Sequence, residues 1–236
     1  MTKSNHPSPH SFDHVKTWVF DLDNTLYPHH SNLFSQIDVK MTSYVSQLLK
    51  LPREEARAIQ KKFYLEHGTT LKGLMINHKI DPDDFLEQVH DIDYSWLKPD
   101  PKLGDAIRAL PGQKFIFTNG NRKHAERAAA QLGILDHFED VFDIVAADLV
   151  PKPARETYDK FISKHGVNGG EAAMFEDLAR NLVEAKALGM KTVLILPHNF
   201  EASFVEAWEH DGQDGEHVDY KTDDLSGFLT ALSLKA

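Results

Sequence analysis

The stretch Trp18-Val19-Phe20-Asp21-Leu22-Asp23-Asn24-Thr25-Leu26-Tyr27 decides the fold of this chain. Its apolar beginning stops at two aspartates one residue apart, and turn-forming residues follow. A short apolar run bounded by turn signals predicts a buried strand, and side chains two apart on a strand share one face. We therefore expect Asp21 and Asp23 to project together from the carboxyl end of this strand, where open α/β sheets bind ligands.

The aspartate pair has a chemical consequence of its own. Two carboxylates held this close repel, and one of them is pushed towards protonation unless a cation lies between them. The pair alone fits a divalent metal site, a shared proton or a solvated acidic turn. Residues elsewhere in the chain are needed to distinguish these three possibilities.

Composition sets the broad class. At 236 residues the chain is long enough for one large domain or two modest ones. Its hydrophobic share of 41% and charged share of 26% are typical of soluble globular proteins, and no apolar run reaches the length of a membrane span. The net charge of −10 argues against nucleic acid or anionic membranes as partners. The absence of cysteine excludes disulfides and thiolate chemistry and is compatible with a cytoplasmic location.

The pattern along the chain predicts three parts. Residues 1–14 are rich in Ser, Pro and His, lack the apolar core of a secretory signal, and indicate a flexible tail. Residues 29–98 have helical spacing of apolar residues with cap signals for four helices, which predicts a small helical bundle. Residues 15–28 and 99–236 form the remaining part.

From residue 99 the predicted helices and strands alternate. Strands are expected at 114–117, 142–146, 172–175 and 192–196, with helices at 102–110, 123–132, 154–164 and 178–188 between them. A weak strand and a final helix are expected within 217–234, after an acidic loop at 209–216. Alternation of this kind indicates right-handed βαβ units and a parallel sheet. The expected fold class is α/β, with a Rossmann-like sheet and an inserted helical bundle.

Polar residues follow successive strands of this sheet. They are Thr118-Asn119-Gly120, Lys152 before a proline, and Glu176-Asp177. A hydroxyl, a glycine before a helix N-terminus and a lysine suit a phosphate group, and Asp177 with Asp21 suits Mg²⁺. Each motif alone also fits a plain turn, a surface lysine or a helix cap. Their joint order at strand ends favours a site.

Taken together, these four motifs resemble the haloacid dehalogenase-like superfamily of phosphohydrolases, from about residue 16 to the end of the chain. The helical insertion after the first motif is similar to the C1-type cap of that superfamily. The sequence FDLDNTLYP at Phe20–Pro28 resembles the first motif of the pyrimidine 5′-nucleotidase branch of that superfamily.

The resemblance implies roles for the aspartates. Asp21 would be the nucleophile that forms an aspartyl-phosphate, and Asp23 would protonate the leaving oxygen and then activate water. Asp21, the backbone carbonyl of Asp23 and Asp177 would hold Mg²⁺. Many relatives have Asp where this chain has Glu176, which leaves open whether Glu176 touches the metal.

The resemblance also implies a phosphate site and a source of specificity. Thr118, the Asn119 amide and Lys152 would hold the phosphoryl oxygens. The cap would choose the substrate, with hinges near residues 27–30 and 98–101. The cap side chains that we single out as able to meet a substrate are His29, His30, Lys72 and Asn77.

The expected function is Mg²⁺-dependent hydrolysis of phosphomonoesters, in particular nucleoside 5′-monophosphates. A sugar-phosphate phosphatase or a phosphomutase on the same scaffold is the alternative. Asp23 argues against a dehalogenase, and the intact motifs argue against a non-enzymatic binding module. The expected partner is a small phosphorylated substrate, with no nucleic acid polymer and no membrane, and the expected state is a monomer or weak dimer.

Overall fold

A parallel sheet organises the part of the chain that this computed structural model describes, residues 10–197 and 211–233. Six strands are present within those residues. They are β1 (Thr17–Phe20), β2 (Gln113–Phe117), β3 (Asp140–Phe142), β4 (Ala172–Glu176), β5 (Lys191–Ile195) and β6 (Tyr220–Thr222). The α/β class and the parallel sheet expected from the sequence are confirmed.

The strand order places β1 at the point where the chain reverses its direction across the sheet. The order is β3-β2-β1-β4-β5-β6, and every neighbouring pair is parallel. Phe20, the last residue of β1, pairs with Ile116 on one side and Phe175 on the other. In sheets of this order a crevice opens at the carboxyl ends of the strands beside the reversal, and ligands bind there.

Helices lie between strands of this sheet and after its last strand. Those inserted between β1 and β2 are α1 (Leu33–Leu49), α2 (Arg53–His67), α3 (Thr70–His78), α4 (Pro82–Val89) and α5 (Pro101–Ala109). Those that follow β2 are α6 (Arg122–Leu132), α7 (Arg155–His165), α8 (Leu182–Ala187) and α9 (Leu225–Ser233). The four helices expected in the insertion are therefore present as α1–α4. The boundaries of a separate cap domain at residues 29 and 98 stay a prediction.

The sheet is covered on both faces. On one face Phe20 and Phe175 pack with residues of α5, α6 and α9, and on the other Phe117 and Met174 pack with residues of α7 and α8. Alternate residues of a strand point to opposite faces, and a parallel sheet buried on both faces has nearly continuous apolar strands. This layering leaves the strand ends as the place where polar side chains can gather.

Three local expectations need correction. The strand expected at 142–146 ends at Phe142, because the Asp143 carboxylate accepts the N–H groups of Ala146 (2.9 Å) and Arg122 (2.8 Å) and so forms a turn. The helix expected at 178–188 begins with a 3₁₀ turn at Ala179–Asn181, and α8 starts only at residue 182. The expected tail is too long, because Phe12 is buried and its ring lies 6.1 Å from that of Trp18.

The other predicted strands and helices after residue 99 agree with the structure to within one residue at each end, except for the weak strand and the helix of 217–234. That last pair is present as β6 and α9. Part of the loop expected at 209–216 and most of the expected tail lie outside the described residues. No helix in the described ranges has the length and apolar character needed to cross a bilayer.

A buried charge joins the first two helices of the insertion. Asp38 of α1 is only 2% exposed, and its carboxylate accepts hydrogen bonds from Arg57 (2.5 Å), Lys61 (2.9 Å) and Gln60 (2.8 Å) of α2. Burial acts to raise the pKa of Asp38, but the hydrogen bonds and charges of Lys61 and Arg57 outweigh it and lower the pKa. The pairing of α1 with α2 therefore depends on the ionised carboxylate.

We predict that Asp38→Asn lowers the free energy of unfolding by about 2–3 kcal/mol, because it removes charge-assisted hydrogen bonds that are largely shielded from water. Denaturant titration at neutral pH measures this change. Because the pKa of Asp38 is lower in the folded protein than in the unfolded chain, where it is about 4, its stabilising contribution is fully present above pH 4. The contribution is lost as the pH falls through the pKa of the folded protein. The stabilities of wild type and variant should therefore converge in acid.

The matched control is Asp91→Asn. Asp91 pairs with Lys40 at 3.3 Å, but its side chain is 83% exposed, so we expect no resolvable change in stability. Equal losses in the two variants, or a difference that persists in acid, would contradict the account.

Candidate active site

The first aspartate extends the central strand pair by one residue. The N–H of Asp21 donates to the carbonyl of Phe175 at 2.9 Å, so the β1–β4 ladder continues through Asp21. Its side chain is 6% exposed and lies at the carboxyl end of the sheet. The reversal point of the strand order therefore carries a buried carboxylate, as the sequence predicts.

A buried lysine connects the ends of three strands. Lys152 Nζ donates to Asp21 Oδ1 (2.8 Å), Glu176 Oε2 (2.7 Å) and the Phe117 carbonyl (2.7 Å), and the side chain is 1% exposed. Burial acts to lower the pKa of Lys152, but the Asp21 and Glu176 carboxylates outweigh it and raise the pKa. Three acceptors hold its ammonium group, so Lys152 is a buried, fixed cation and not the surface lysine that its motif alone also fits.

The carboxylates around Lys152 form a cluster that suits a cation. Ligand atoms of Asp21, Glu176 and Asp177 all lie within 4.8 Å of one another. Burial, the Glu176 charge and the Asp23 charge raise the pKa of Asp21 to about 8, despite the opposing effect of Lys152. Hard oxygen donors in this arrangement fit a divalent cation such as Mg²⁺.

Within the cluster, Glu176 differs from Asp177. The Oε2 atom of Glu176 is held by Lys152, and Oε1 accepts the N–H of Leu178 at 3.3 Å. Asp177 Oδ2 instead lies 3.7 Å from His29 Nε2. Both Glu176 oxygens are thus engaged by the protein itself.

The second aspartate has different surroundings from the first. Asp23 Oδ1 accepts hydrogen bonds from the Tyr27 hydroxyl and from His124 Nε2, the latter at 2.7 Å. Burial acts to raise the pKa of Asp23, but the charge and hydrogen bond of His124, with the Tyr27 hydrogen bond, lower it. Asp23 is not a member of the carboxylate cluster. The two aspartates therefore have different hydrogen-bond partners: Asp21 accepts from Lys152, and Asp23 accepts from Tyr27 and His124.

The residues after β2 hold the loop that carries Lys152. Asn119 Oδ1 accepts the N–H of Lys152 (2.8 Å), and Asn119 Nδ2 donates to the Lys152 carbonyl (3.3 Å). Thr118 Oγ1 accepts the N–H of Gly120 at 2.9 Å and is buried. The backbone N–H of Asn119 makes no hydrogen bond within residues 10–197 and 211–233. The structure thus brings Thr118 and Asn119 to the same edge of the sheet as Asp21.

The helical insertion contacts the core near this edge. The Arg180 guanidinium carbon lies 4.4 Å from the ring centroid of Tyr64 in α2. A Cβ atom built on Gly68, between α2 and α3, would lie 3.2 Å from Pro151 Cγ, so this turn packs against the loop that carries Lys152. The insertion therefore contacts the loop that carries Lys152.

The four side chains singled out for substrate contact are placed differently. His29 lies beside Asp177. Asn77 instead donates to the Gly73 carbonyl of its own helix at 2.8 Å. Neither His30 nor Lys72 has a hydrogen bond or ion pair from its side chain in the part of the chain that the structure describes.

Sequence reasoning missed His124 and gave Tyr27 only a hinge position. His124 lies in α6 among small buried residues, including Ala125 and Ala128, and is itself fully buried. The signal was a single titratable side chain on the apolar face of an alanine-rich helix. A buried histidine of this kind usually needs a polar partner, and here the partner is Asp23.

Comparison with known proteins agrees with this architecture. A family model described as haloacid dehalogenase-like hydrolase matches residues 15–189. The "Phosphate metabolism protein 8" of Saccharomyces cerevisiae is 28% identical over 215 residues, which cover 83% of this chain and 66% of the relative, just under two thirds of its length.

Solved structures show the same fold. The L-2-haloacid dehalogenase of Xanthobacter autotrophicus is 18% identical, with a TM-score of 0.60 over 94% of this chain and 100% of its own. A HAD phosphatase of Thermococcus onnurineus is 19% identical, with a TM-score of 0.56 over 88% of this chain and 93% of its own. A Bacillus subtilis HAD-hydrolase bound to magnesium is 13% identical, with a TM-score of 0.56 over 92% of this chain and 98% of its own. On the family match and this shared architecture, the chain belongs to the haloacid dehalogenase-like hydrolase family.

Proposed function

We propose that the protein is a Mg²⁺-dependent phosphomonoester hydrolase that works through an aspartyl-phosphate on Asp21 and acts on pyrimidine nucleoside 5′-monophosphates. The observation that carries the proposal is the split between the two aspartates. Asp21 lies in the carboxylate cluster beside Lys152, and Asp23 lies between hydrogen-bond donors. These different surroundings suit a nucleophile and a separate proton carrier.

In the first step an oxygen of Asp21 attacks phosphorus. The bond between phosphorus and the leaving oxygen breaks, and that oxygen keeps the electron pair and takes a proton from Asp23. The alcohol departs and the phosphoryl group remains on Asp21. Lys152 holds the attacking carboxylate in place through Oδ1, which limits the orientations that Asp21 can adopt.

In the second step Asp23, now ionised, takes a proton from water. The water oxygen attacks phosphorus, the bond to Asp21 breaks, and the Asp21 carboxylate is restored as inorganic phosphate leaves. Asp23 keeps the proton and is ready for the next leaving oxygen. One carboxyl group thus serves as acid and then as base.

The phosphate site is built from the ends of β2 and the Lys152 loop. The backbone N–H of Asn119 and the Thr118 hydroxyl are available to phosphoryl oxygens, and Lys152 supplies positive charge. The Asn119 side chain fixes the Lys152 backbone and so keeps the two parts of the site together.

Asp21, Asp177 and the backbone carbonyl of Asp23 are the groups that would hold Mg²⁺, which polarises the phosphoryl group and offsets the carboxylate repulsion. Glu176 has both oxygens engaged by Lys152 and Leu178. We assign it to holding Lys152 rather than to holding the metal.

The comparisons support phosphate chemistry more than dehalogenation. The yeast relative is named for phosphate metabolism. The similar dehalogenase and phosphatase structures each share less than a fifth of their residues with this chain and support the fold alone. A sugar-phosphate phosphatase or a phosphomutase uses the same groups and stays the alternative.

The remaining expectations also stay proposals. A small phosphorylated molecule is the partner that the site suits, and neither a nucleic acid polymer nor a membrane is expected. A cytoplasmic location and a monomeric or weakly dimeric state remain predictions from the sequence.

We predict that Asp21→Asn lowers kcat on p-nitrophenyl phosphate by at least about 10³-fold, because the amide is a far weaker nucleophile. Release of p-nitrophenolate measures it. The matched control is Asp105→Asn, an exposed aspartate of α5 that pairs with Arg108 and should leave activity unchanged. Retained turnover in Asp21→Asn would remove the proposed mechanism.

We predict different effects for the two acidic residues after β4. Asp177→Asn should raise the Mg²⁺ concentration for half-maximal activity by more than about tenfold, because it removes a ligand oxygen. Glu176→Gln should lower kcat with a smaller change in Mg²⁺ requirement, because it frees Lys152. Calorimetric titration with Mg²⁺ checks both assignments without turnover. The assignment fails if Glu176→Gln weakens Mg²⁺ binding as much as Asp177→Asn does.

We predict that kcat/KM for UMP or CMP exceeds that for purine nucleotides and for hexose phosphates. A magnesium-dependent phosphate-release screen measures this ranking, with Asp21→Asn as the blank. A flat profile or a sugar-phosphate preference contradicts the nucleotide assignment but leaves the hydrolase in place. Conversion of a hexose 1-phosphate to its isomer without free phosphate would instead identify a mutase.

A further inference from the structure

The side chain of Asp23 is held through one of its two oxygens. Both described donors, the Tyr27 hydroxyl and His124 Nε2, reach Oδ1, and both donor residues are fully buried. The Oδ2 atom accepts no hydrogen bond within the residues that the structure describes. The two oxygens of this carboxyl group are therefore not equivalent.

The histidine donor is fixed from three directions. The Tyr94 hydroxyl lies 3.0 Å from His124 Nδ1, and the ring of His90 stacks on that of His124 with centroids 4.5 Å apart and planes 10° from parallel. The Asn121 side chain also accepts the backbone N–H of His124 at 2.9 Å. Rotation of the imidazole away from Asp23 would break its contacts with Tyr94 and His90.

The contacts that fix His124 come from the segment that returns from the insertion. His90 follows the last residue of α4, and Tyr94 begins the 3₁₀ turn at Tyr94–Trp96. The Tyr94 hydroxyl also donates to the His90 carbonyl at 3.2 Å, which ties the two together. Helix α6 thus supplies the histidine that binds Asp23, and the end of the helical insertion supplies the residues that hold this histidine in place.

Two donors on one oxygen decide where a proton can reside. An ionised carboxylate only accepts hydrogen bonds, and once protonated it carries one O–H. A proton on Oδ1 would have to displace Tyr27 or His124 from a buried position, which leaves a polar group without its partner. A proton on Oδ2 displaces neither donor.

We propose that His124 and Tyr27 are positioning residues that clamp Oδ1 of Asp23 and so present Oδ2 as the oxygen that gives the proton to the leaving group and later takes it from water. The inference rests on the proposed role of Asp23. Neither His124 nor Tyr27 transfers the proton itself, and the proton balance of the two steps is unchanged.

The test compares leaving groups that need a proton to different degrees. The p-nitrophenolate group departs without protonation, whereas the nucleoside oxygen of UMP needs a proton as its bond to phosphorus breaks. The ratio kcat/KM reports events up to the first irreversible step, so it isolates the acid role of Asp23 from its later role as base. A residue that only stabilises the fold would change both substrates equally.

We predict that Tyr27→Phe and His124→Phe each lower kcat/KM for UMP by about 10- to 100-fold and for p-nitrophenyl phosphate by less than about threefold. Both substitutions keep an aromatic ring of similar size. His124→Gln, whose amide N–H replaces that of Nε2, should recover much of the UMP activity. The matched control is Tyr44→Phe, which removes a tyrosine–aspartate hydrogen bond to Asp84 (3.0 Å) within the insertion and should change neither rate.

The outcomes separate this inference from the function on which it rests. If the wild type hydrolyses neither ester, the proposed function fails. If the wild type is active and Asp23→Asn loses UMP activity selectively, the function stands. Equal losses on both esters in Tyr27→Phe, or unchanged UMP activity there, would then overturn the clamp alone, and Tyr27→Phe carries this test even if His124→Phe does not fold.

Discussion

The rest of the site depends on the hydrogen bonds that the ammonium group of Lys152 donates. It lies at the carboxyl ends of β1, β2 and β4 and donates to Asp21, to Glu176 and to the Phe117 carbonyl. A buried charge is tolerated only when it is paired and hydrogen-bonded. These contacts therefore fix Asp21, Glu176 and the loop after β3 in one arrangement, and Asn119 holds that loop from the other side.

Two aspartates one residue apart have different surroundings in this structure. Asp21 lies close to the carboxylates of Glu176 and Asp177, and this concentration of negative charge suits a bound cation. Asp23 is turned towards Tyr27 and His124, which stabilise its ionised form. The divergence comes from the ends of neighbouring elements and from the helical insertion, not from any difference in residue type. The fold thus assigns separate environments to identical side chains.

Sequence reasoning found the parts of the fold that depend on local pattern. The apolar run at Trp18–Phe20, the side-chain caps of α3 and α4 and the alternation after residue 99 are set by short-range preferences. It missed the turn at Asp143, where a side chain competes with the strand ladder, and it missed the support of Asp23 by His124, which is 101 residues away in the chain. Contacts between distant side chains leave no periodicity in the sequence.

The central claim is that Asp21 carries the phosphoryl group and Asp23 controls its release. The most direct measurement is acid quenching of the Asp23→Asn variant during turnover of p-nitrophenyl phosphate, followed by mass spectrometry of its peptides. The account predicts a phosphoryl group on Asp21 that accumulates, because the first step needs no acid for this substrate while the second lacks its base. A protein without a phosphoryl group, or with one on another residue, would contradict it.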